Sequence, residues 1–229
     1  MNFRKLIYPL LLVSGLMSSC EKDELTLPTT VIFEFSMNVN AEDGKFLQFD
    51  QGELSFNALE FDGDREAGHD IFFLSEFEDS VEVDLDLEVA SENVSYDVPQ
   101  GVYKRIKLRI GSNSLTAGPR IKYGGIYNSA RNGDIEVRIE FSGDEPIEMN
   151  AVGPSANNEI VLNKNLPTTA EIHFDPLILF QFANSRQLES ADVIIIEGNP
   201  VIIISKDANI TIFNQIISRL ERSITATFN

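Results

Sequence analysis

The stretch Val81–Val89, VEVDLDLEV, decides how this chain is read. Val81, Val83, Leu85, Leu87 and Val89 fall on one side of an extended backbone, and Glu82, Asp84, Asp86 and Glu88 on the other. A period of two is that of a strand with one face in a core and one in water. Acidic residues are poor strand formers, so burial of the aliphatic row has to override local propensity. Past the turn-rich ASENVSYDVPQG lies a second alternating stretch, Val102–Ile110, VYKRIKLRI. There Val102, Ile106, Leu108 and Ile110 share one face, and Arg105, Lys107 and Arg109 share the other. Antiparallel pairing of the two stretches sets a basic row beside an acidic one. Opposite charges across strands contribute about 0.2–1 kcal/mol each, and less where exposed. Their larger value is register, since a slip of one residue turns both charged rows into the core.

The same period recurs outward from this pair. Val31–Val39, Glu53–Phe61, Asp70–Phe77, Pro119–Tyr127, Ile135–Phe141 and Glu171–Phe174 read as strands. Turn clusters DGDREAGH, GSNSLTAG, SGDEP and GPSANN separate them. Many short strands with regular turn signals give a mainly β fold, an antiparallel β-sandwich of immunoglobulin-like or Greek-key type, over residues 30–175. The remaining residues, 176–229, differ. Pro176–Ala183 reads as one or two helical turns, and Asp192–Ser205 as two very apolar strands around an EGNP turn. Asn209–Arg222 spaces Ile212, Ile216, Ile217 and Leu220 at helical intervals, with Asn209 or Thr211 to cap the start and Arg219 and Arg222 suited to the end. That predicts a C-terminal amphipathic helix packed on the sandwich, with SITATF returning as a strand.

Composition narrows the partners. The chain has 229 residues with 36 acids against 18 bases, a formal net charge of −18. Nucleic acid and anionic lipid both need Lys and Arg to neutralise phosphate, so nucleic acid is not an expected partner. A hydrophobic content of 43%, with 16 phenylalanines, argues for a packed core rather than disorder.

The N-terminus carries an address. Arg4 and Lys5 precede a mostly apolar run, Leu6–Met17, which ends in Ser18-Ser19-Cys20. A membrane-spanning helix needs about 20 apolar residues; this run is shorter and holds Pro9 and Gly15. A basic head, a short apolar middle and small residues before a cut point make a signal peptide, residues 1–19. Cys20 is the only cysteine, so no disulfide forms within the chain.

Leu16-Met17-Ser18-Ser19-Cys20 resembles a bacterial lipobox. The resemblance implies that Cys20 becomes the first residue of the mature chain and carries the lipid, with residues 20–29 as tether. Several acyl chains on one residue give stable anchoring where one does not. Glu21, Lys22, Asp23 and Glu24 resemble the export signal of Bacteroidota surface lipoproteins, which implies display on the outer face of the outer membrane rather than the periplasmic face. The layout as a whole, through DVPQGVYKRIKLRI, EIHFDPLILF and the last helix, is similar to surface-type lipoproteins of Bacteroidota with a β-sandwich domain. Those motifs are structural and carry no activity.

Chemistry is sparse in the sequence. The two histidines, His69 and His173, lie far apart, and no zinc-ligand spacing, nucleophile elbow or phosphate-cradling loop occurs. The expectation is a protein without catalytic residues and without a required cofactor. Asp62, Asp64 and Glu66 alternate as at the start of a calcium loop, though Ala67 stands where the loop needs glycine and Phe73 where it needs glutamate. A structural calcium ion is the most this segment predicts. Tyr123 and Tyr127, four apart around a double glycine, share a strand face and offer an aromatic platform for a sugar, unless the glycines bulge the strand. Asp79-Ser80-Val81 resembles the O-glycosylation sequon of Bacteroidota envelope proteins, with Ser80 in an exposed loop. The function expected is a lipid-anchored surface protein making non-enzymatic contacts with a protein or the matrix; the alternative is capture of a glycan or small ligand.

Overall fold

The computed structural model describes residues 27–39, 46–85, 94–154, 159–181 and 185–229. The expected signal peptide, Cys20 and Glu21–Glu24 lie outside these residues, as do Asp86 and Glu88. The protein is mainly β. In chain order its strands are β1 (Pro28–Met37), β2 (Leu47–Arg65), β3 (Ile71–Asp84), β4 (Val94–Pro99), β5 (Gly101–Gly111), β6 (Arg120–Ser129) and β7 (Gly133–Ser142). Then come β8 (Ile147–Val152), β9 (Ile160–Leu162) and β10 (Thr168–Phe174), followed by the helical turns α1 (Pro176–Leu179) and α2 (Ser185–Glu189). The chain closes with β11 (Ile194–Ile196), β12 (Asn199–Ile204), α3 (Ile210–Ile217) and β13 (Ile224–Phe228).

All thirteen strands join one hydrogen-bonded network in the order β11-β12-β7-β6-β2-β5-β8-β13-β10-β1-β4, with β3 on β2 and β9 on β5. The sheet is mixed rather than antiparallel, because β1 runs parallel to β10, β12 to β7 and β13 to β8. The backbone of the fold is β2, whose 19 residues span about 60 Å. A strand has only two edges. Since β3 takes one along Glu53–Gly63, β5 and β6 share the other, β5 beside Ala58–Arg65 and β6 beside Leu47–Ser55. The strand expected over Glu53–Phe61 is longer at both ends, and Asp62-Gly63-Asp64, expected to open a turn, continues it, as do residues 47–52 before it.

Burial follows the predicted alternation. Val31, Phe33, Phe35 and Met37 of β1 face inward, as do Leu54, Phe56 and Phe61 of β2. Side chains of β1 and β4 meet those of β2 and β3: the rings of Phe35 and Phe56 lie 5.5 Å apart, and those of Phe73 and Tyr96 5.3 Å. Tyr103 is fully buried, and its hydroxyl donates to the Pro99 carbonyl at 2.6 Å.

The charged rows pair differently from expectation. Strand β3 lies on β2, not on β5. The basic row of β5 meets acids on its true neighbours: Arg105 on Asp62 at 3.3 Å, Arg109 on Glu60 at 3.1 Å, and Lys107 on Glu148 of β8 at 2.9 Å. Glu82 of β3 accepts instead from Ser55 at 2.7 Å. Alternation fixes which face a charge takes, while any neighbouring acidic row satisfies a basic one. The tail also departs from a segment laid on the sandwich. Strand β12 extends the sheet beside β7, and β13 inserts between β8 and β10. Helix α3 buries Ile212, Phe213 and Ile216 but ends at Ile217, short of the predicted Arg222.

Candidate functional site

The sequence-predicted sites fall in three places. Asp62 and Asp64 lie on β2, not in a loop, and Asp62 is engaged by Arg105. Among the described residues, no group of three His, Cys, Asp or Glu is placed to hold a metal ion. Pairing of residues 58–65 with β5 draws Asp62 and Asp64 straight, so these two lie on a strand rather than at the start of a loop, and Glu66 follows its end. Ser80 is exposed, where β3 bulges between the pairs Phe56–Val81 and Ala58–Glu76. It sits in a strand irregularity rather than a loop before a strand.

Tyr123 and Tyr127 do share a face, and the double glycine does sit opposite a bulge, at Phe49/Gln51 of β2. The face they share is the core. Each is 1% exposed, so neither is a platform for a sugar. The aromatic face packs inward because Phe49 and Phe141 meet Tyr123, at ring distances of 6.3 and 6.2 Å. Tyr127 has a positioning role instead. Its hydroxyl reaches α2, 2.8 Å from Glu189 Oε1 and 3.1 Å from the Ser185 carbonyl. The same Glu189 oxygen accepts from the Ser129 hydroxyl at 3.0 Å and the Ala130 N–H at 2.8 Å. One carboxylate thereby pins α2 to the β6–β7 turn. The hydrogen bond from Tyr127, with those from Ser129 and Ala130, holds the Glu189 carboxyl below its ordinary range. Burial, reinforced by Glu189, pushes the Tyr127 phenol up to about 12. The stability contributed by Glu189 is present above the ordinary carboxylate pKa and is lost as pH falls through the lowered one.

The end of α2 forms one wall of the largest open cleft among the cavities described, about 670 Å³. Its other walls are the β11–β12 hairpin, the loop after β12 and the start of α3. Ile194, Ile203, Ile210 and Ile212 give it apolar sides, and Asp192 and Asp207 supply its charge. The hairpin is built by the turn Glu197-Gly198, both residues at positive φ (52° and 88°), a primed turn that matches strand twist.

The cleft stays open because Asn209 ends the ladder. By the hairpin register (Ile194 opposite Val201), the next rung would join Asp192 to Ile203. The Asn209 amide enters that rung. Its Oδ1 accepts from the Asp192 N–H at 2.8 Å, and its Nδ2 donates to the carbonyls of Asp192 at 3.1 Å and Ile203 at 2.8 Å. Asn209 stands at the N-cap position of α3 yet makes no capping bond, because its side chain is used here. Its left-handed backbone (φ 51°) suits asparagine better than other non-glycine residues. Asn209→Ala is expected to cost about 2–3 kcal/mol, from unpaired main-chain groups and an alanine forced to positive φ. Asn209→Gly should recover the backbone part only, by about 1 kcal/mol. Equal urea midpoints for the two variants would contradict the clamp.

Sequence reasoning missed this cleft, since its walls come from three separate stretches. The available signal was Val193–Ile196, four consecutive β-branched residues that end in an acid at each side. Comparison with protein-family models, curated proteins and solved structures gives no match.

Proposed function

We propose that this chain is a lipid-anchored envelope protein, held through Cys20 and displayed on the outer membrane, whose β domain works by binding rather than by catalysis. The observation that carries the binding role is the apolar cleft beside β11, an edge strand whose Ile195 is 68% exposed. Large exposed apolar side chains grouped beside a concavity mark contact surfaces. The two halves of the sheet are read as the layers of a Greek-key-type sandwich. Support comes from the Phe35–Phe56 and Phe73–Tyr96 contacts. The Tyr103 hydroxyl bond to a carbonyl four residues upstream also has the form of the tyrosine corner of such sandwiches. Among the described residues no helix is long and apolar enough to cross a membrane; attachment through the lipid rests on the resemblance of Leu16–Cys20 to a lipobox.

The test of the anchor is metabolic labelling with radioactive palmitate and membrane fractionation. Wild type is expected to take up label and to sediment with outer membranes, and Cys20→Ala to lose both. A Cys20→Ala protein that still sediments there overturns the anchor. Protease added to intact cells should degrade the wild-type protein; protection until the outer membrane is opened would place it on the periplasmic face.

A further inference from the structure

We propose that β11 is a docking edge for an extended segment of another protein, an apolar strand flanked by basic residues that adds to the sheet beside Ile195. This deepens the binding role above and rests on it, but not on the lipid anchor.

The first observation is backbone direction. In a two-residue hairpin the residues flanking the turn exchange both main-chain hydrogen bonds, and the next pair exchanges none. Ile196–Asn199 is the flanking pair and Ile195–Pro200 the next. Proline has no N–H to give, so it fits that non-bonded place. The N–H and C=O of Ile195 therefore point away from β12, toward the side where β11 has no strand neighbour among the described residues. They are a donor and an acceptor spaced for a further strand.

The second observation is how the edges differ. Strands that end a sheet are normally blunted by charge or proline. Edge strand β3 carries Glu76, Glu78, Glu82 and Asp84, and edge strand β4 carries Asp97 and Pro99. Strand β11 carries three isoleucines, extended by Val193, with neither charge nor proline within it, and its shortness is the one such device it has. Its Ile194 side borders the cleft, which can take alternate side chains of an added strand. Main-chain bonds for affinity and side-chain pockets for selectivity define recognition by strand addition.

Charge selects the occupant. Asp192 and Glu197 bracket β11, Asp207 stands in the cleft, and neither Lys nor Arg lines it. With a net charge of −18 over the whole chain, the field favours an incoming segment with Lys or Arg on both sides of its apolar part. A second copy fits poorly. Pairing of β11 with itself would bring Asp192 and Glu197 of one copy beside the same acids of the other, between two strongly acidic bodies.

The test uses the full-length protein in detergent and a fluorescein-labelled peptide of alternating valine and threonine with two lysines at each end. Saturable binding is expected, with amide NMR shifts centred on residues 193–197. Ile195→Pro removes the outward N–H at no cost in β11–β12 hydrogen bonds, and the same peptide N-methylated at alternate residues loses its pairing edge. Each is expected to weaken binding at least tenfold, while circular dichroism shows Ile195→Pro still folded. Ile195→Lys, which charges an exposed position without touching the core, should do the same if the proline variant does not fold. Replacing the peptide lysines by glutamates should also cost at least tenfold. Absence of saturable binding, equal binding of the N-methylated peptide, or equal binding of the glutamate peptide overturns the proposal. So does a dimer in sedimentation equilibrium that Ile195→Lys dissolves, which would assign the edge to self-pairing. None of these outcomes bears on palmitate labelling, so the docking edge and the anchor fail separately.

Discussion

Gly125→Ala is expected to lower stability by about 3 kcal/mol or more, while Gly124→Ala, one residue earlier in the same strand, changes it by less than about 1 kcal/mol. Both glycines lie in β6 opposite the bulge of β2, and neither has the positive φ that would demand glycine. The difference is what a Cβ would meet. At Gly125 it would land on the Gln48 carbonyl, a main-chain atom held in the β2–β6 ladder. Nothing there can swing aside, so the strands must part and adjacent hydrogen bonds lengthen. At Gly124 the nearest atoms are Gln51 Oε1 at 2.9 Å, Cβ at 3.1 Å and Cδ at 3.5 Å; the amide end can rotate away, and the Cβ has to give by only a few tenths of an ångström. Urea unfolding of the two variants beside wild type gives the comparison. Equal midpoints would mean that β2 and β6 do not approach as closely as described.

The second large effect is alkaline. Burial pushes the phenols of Tyr96 and Tyr103 up to about 12, and the fully buried Tyr123 higher still; Tyr127 reaches about 12 with Glu189 beside it. The folded protein keeps these groups protonated where the unfolded chain ionises them, near pH 10. A folded pKa above the unfolded one gives stability that is complete below pH 10 and is lost as pH climbs toward the folded values. Each such group costs about 1.4 kcal/mol per pH unit in that window. For Tyr103 and Tyr123 alone this reaches roughly 3 kcal/mol at pH 11, a large share of the 5–15 kcal/mol of an ordinary domain. The phenolate absorbance of Tyr96, Tyr103, Tyr123 and Tyr127 should rise late and in one step with the loss of far-ultraviolet circular dichroism. A gradual titration centred near pH 10 in a still-folded protein would show that these hydroxyls reach water.

Much of the fold was legible because burial here obeys a period of two. In β1, β6 and β7 the residues assigned inward by alternation are the buried ones. In β5 the aliphatic row Ile106, Leu108 and Ile110 is buried as alternation requires, but Val102 is only half-buried and Tyr103 takes the inward place, because the β2–β5 register shifts where Arg65 meets Tyr103. Strands β4, β8 and β9 were not found, since six residues such as VSYDVP or IEMNAV, with proline or asparagine among them, are too short to separate a strand from a loop. The neighbours of each strand were beyond reach for another reason. Arg105, Lys107 and Arg109 announce that acids lie opposite, and both β3 and the β2–β8 pair supply acids. Only packing of the aliphatic faces chooses between them. The site suffered most. Tyr123 and Tyr127 were placed on the correct common face, but two faces of a strand look alike when the other carries Lys122, Gly124 and Ile126. The cleft needed Asp192, Ile203 and Asn209 brought together, and no local pattern records that Asn209 forgoes its helix to stand in for a strand.

Strand β13 is the last of the thirteen to be made, yet it lies between β8 and β10 rather than at a border. Until Ile224–Phe228 arrive, both neighbours present open edges and the halves of the network stay unjoined. Its partner in β8 is more than 70 residues upstream, so closing that gap is a late, long-range event of the kind that slows folding. Strand β13 is therefore the keystone of the network: without it β8 and β10 share no neighbour, and the sheet parts into two halves.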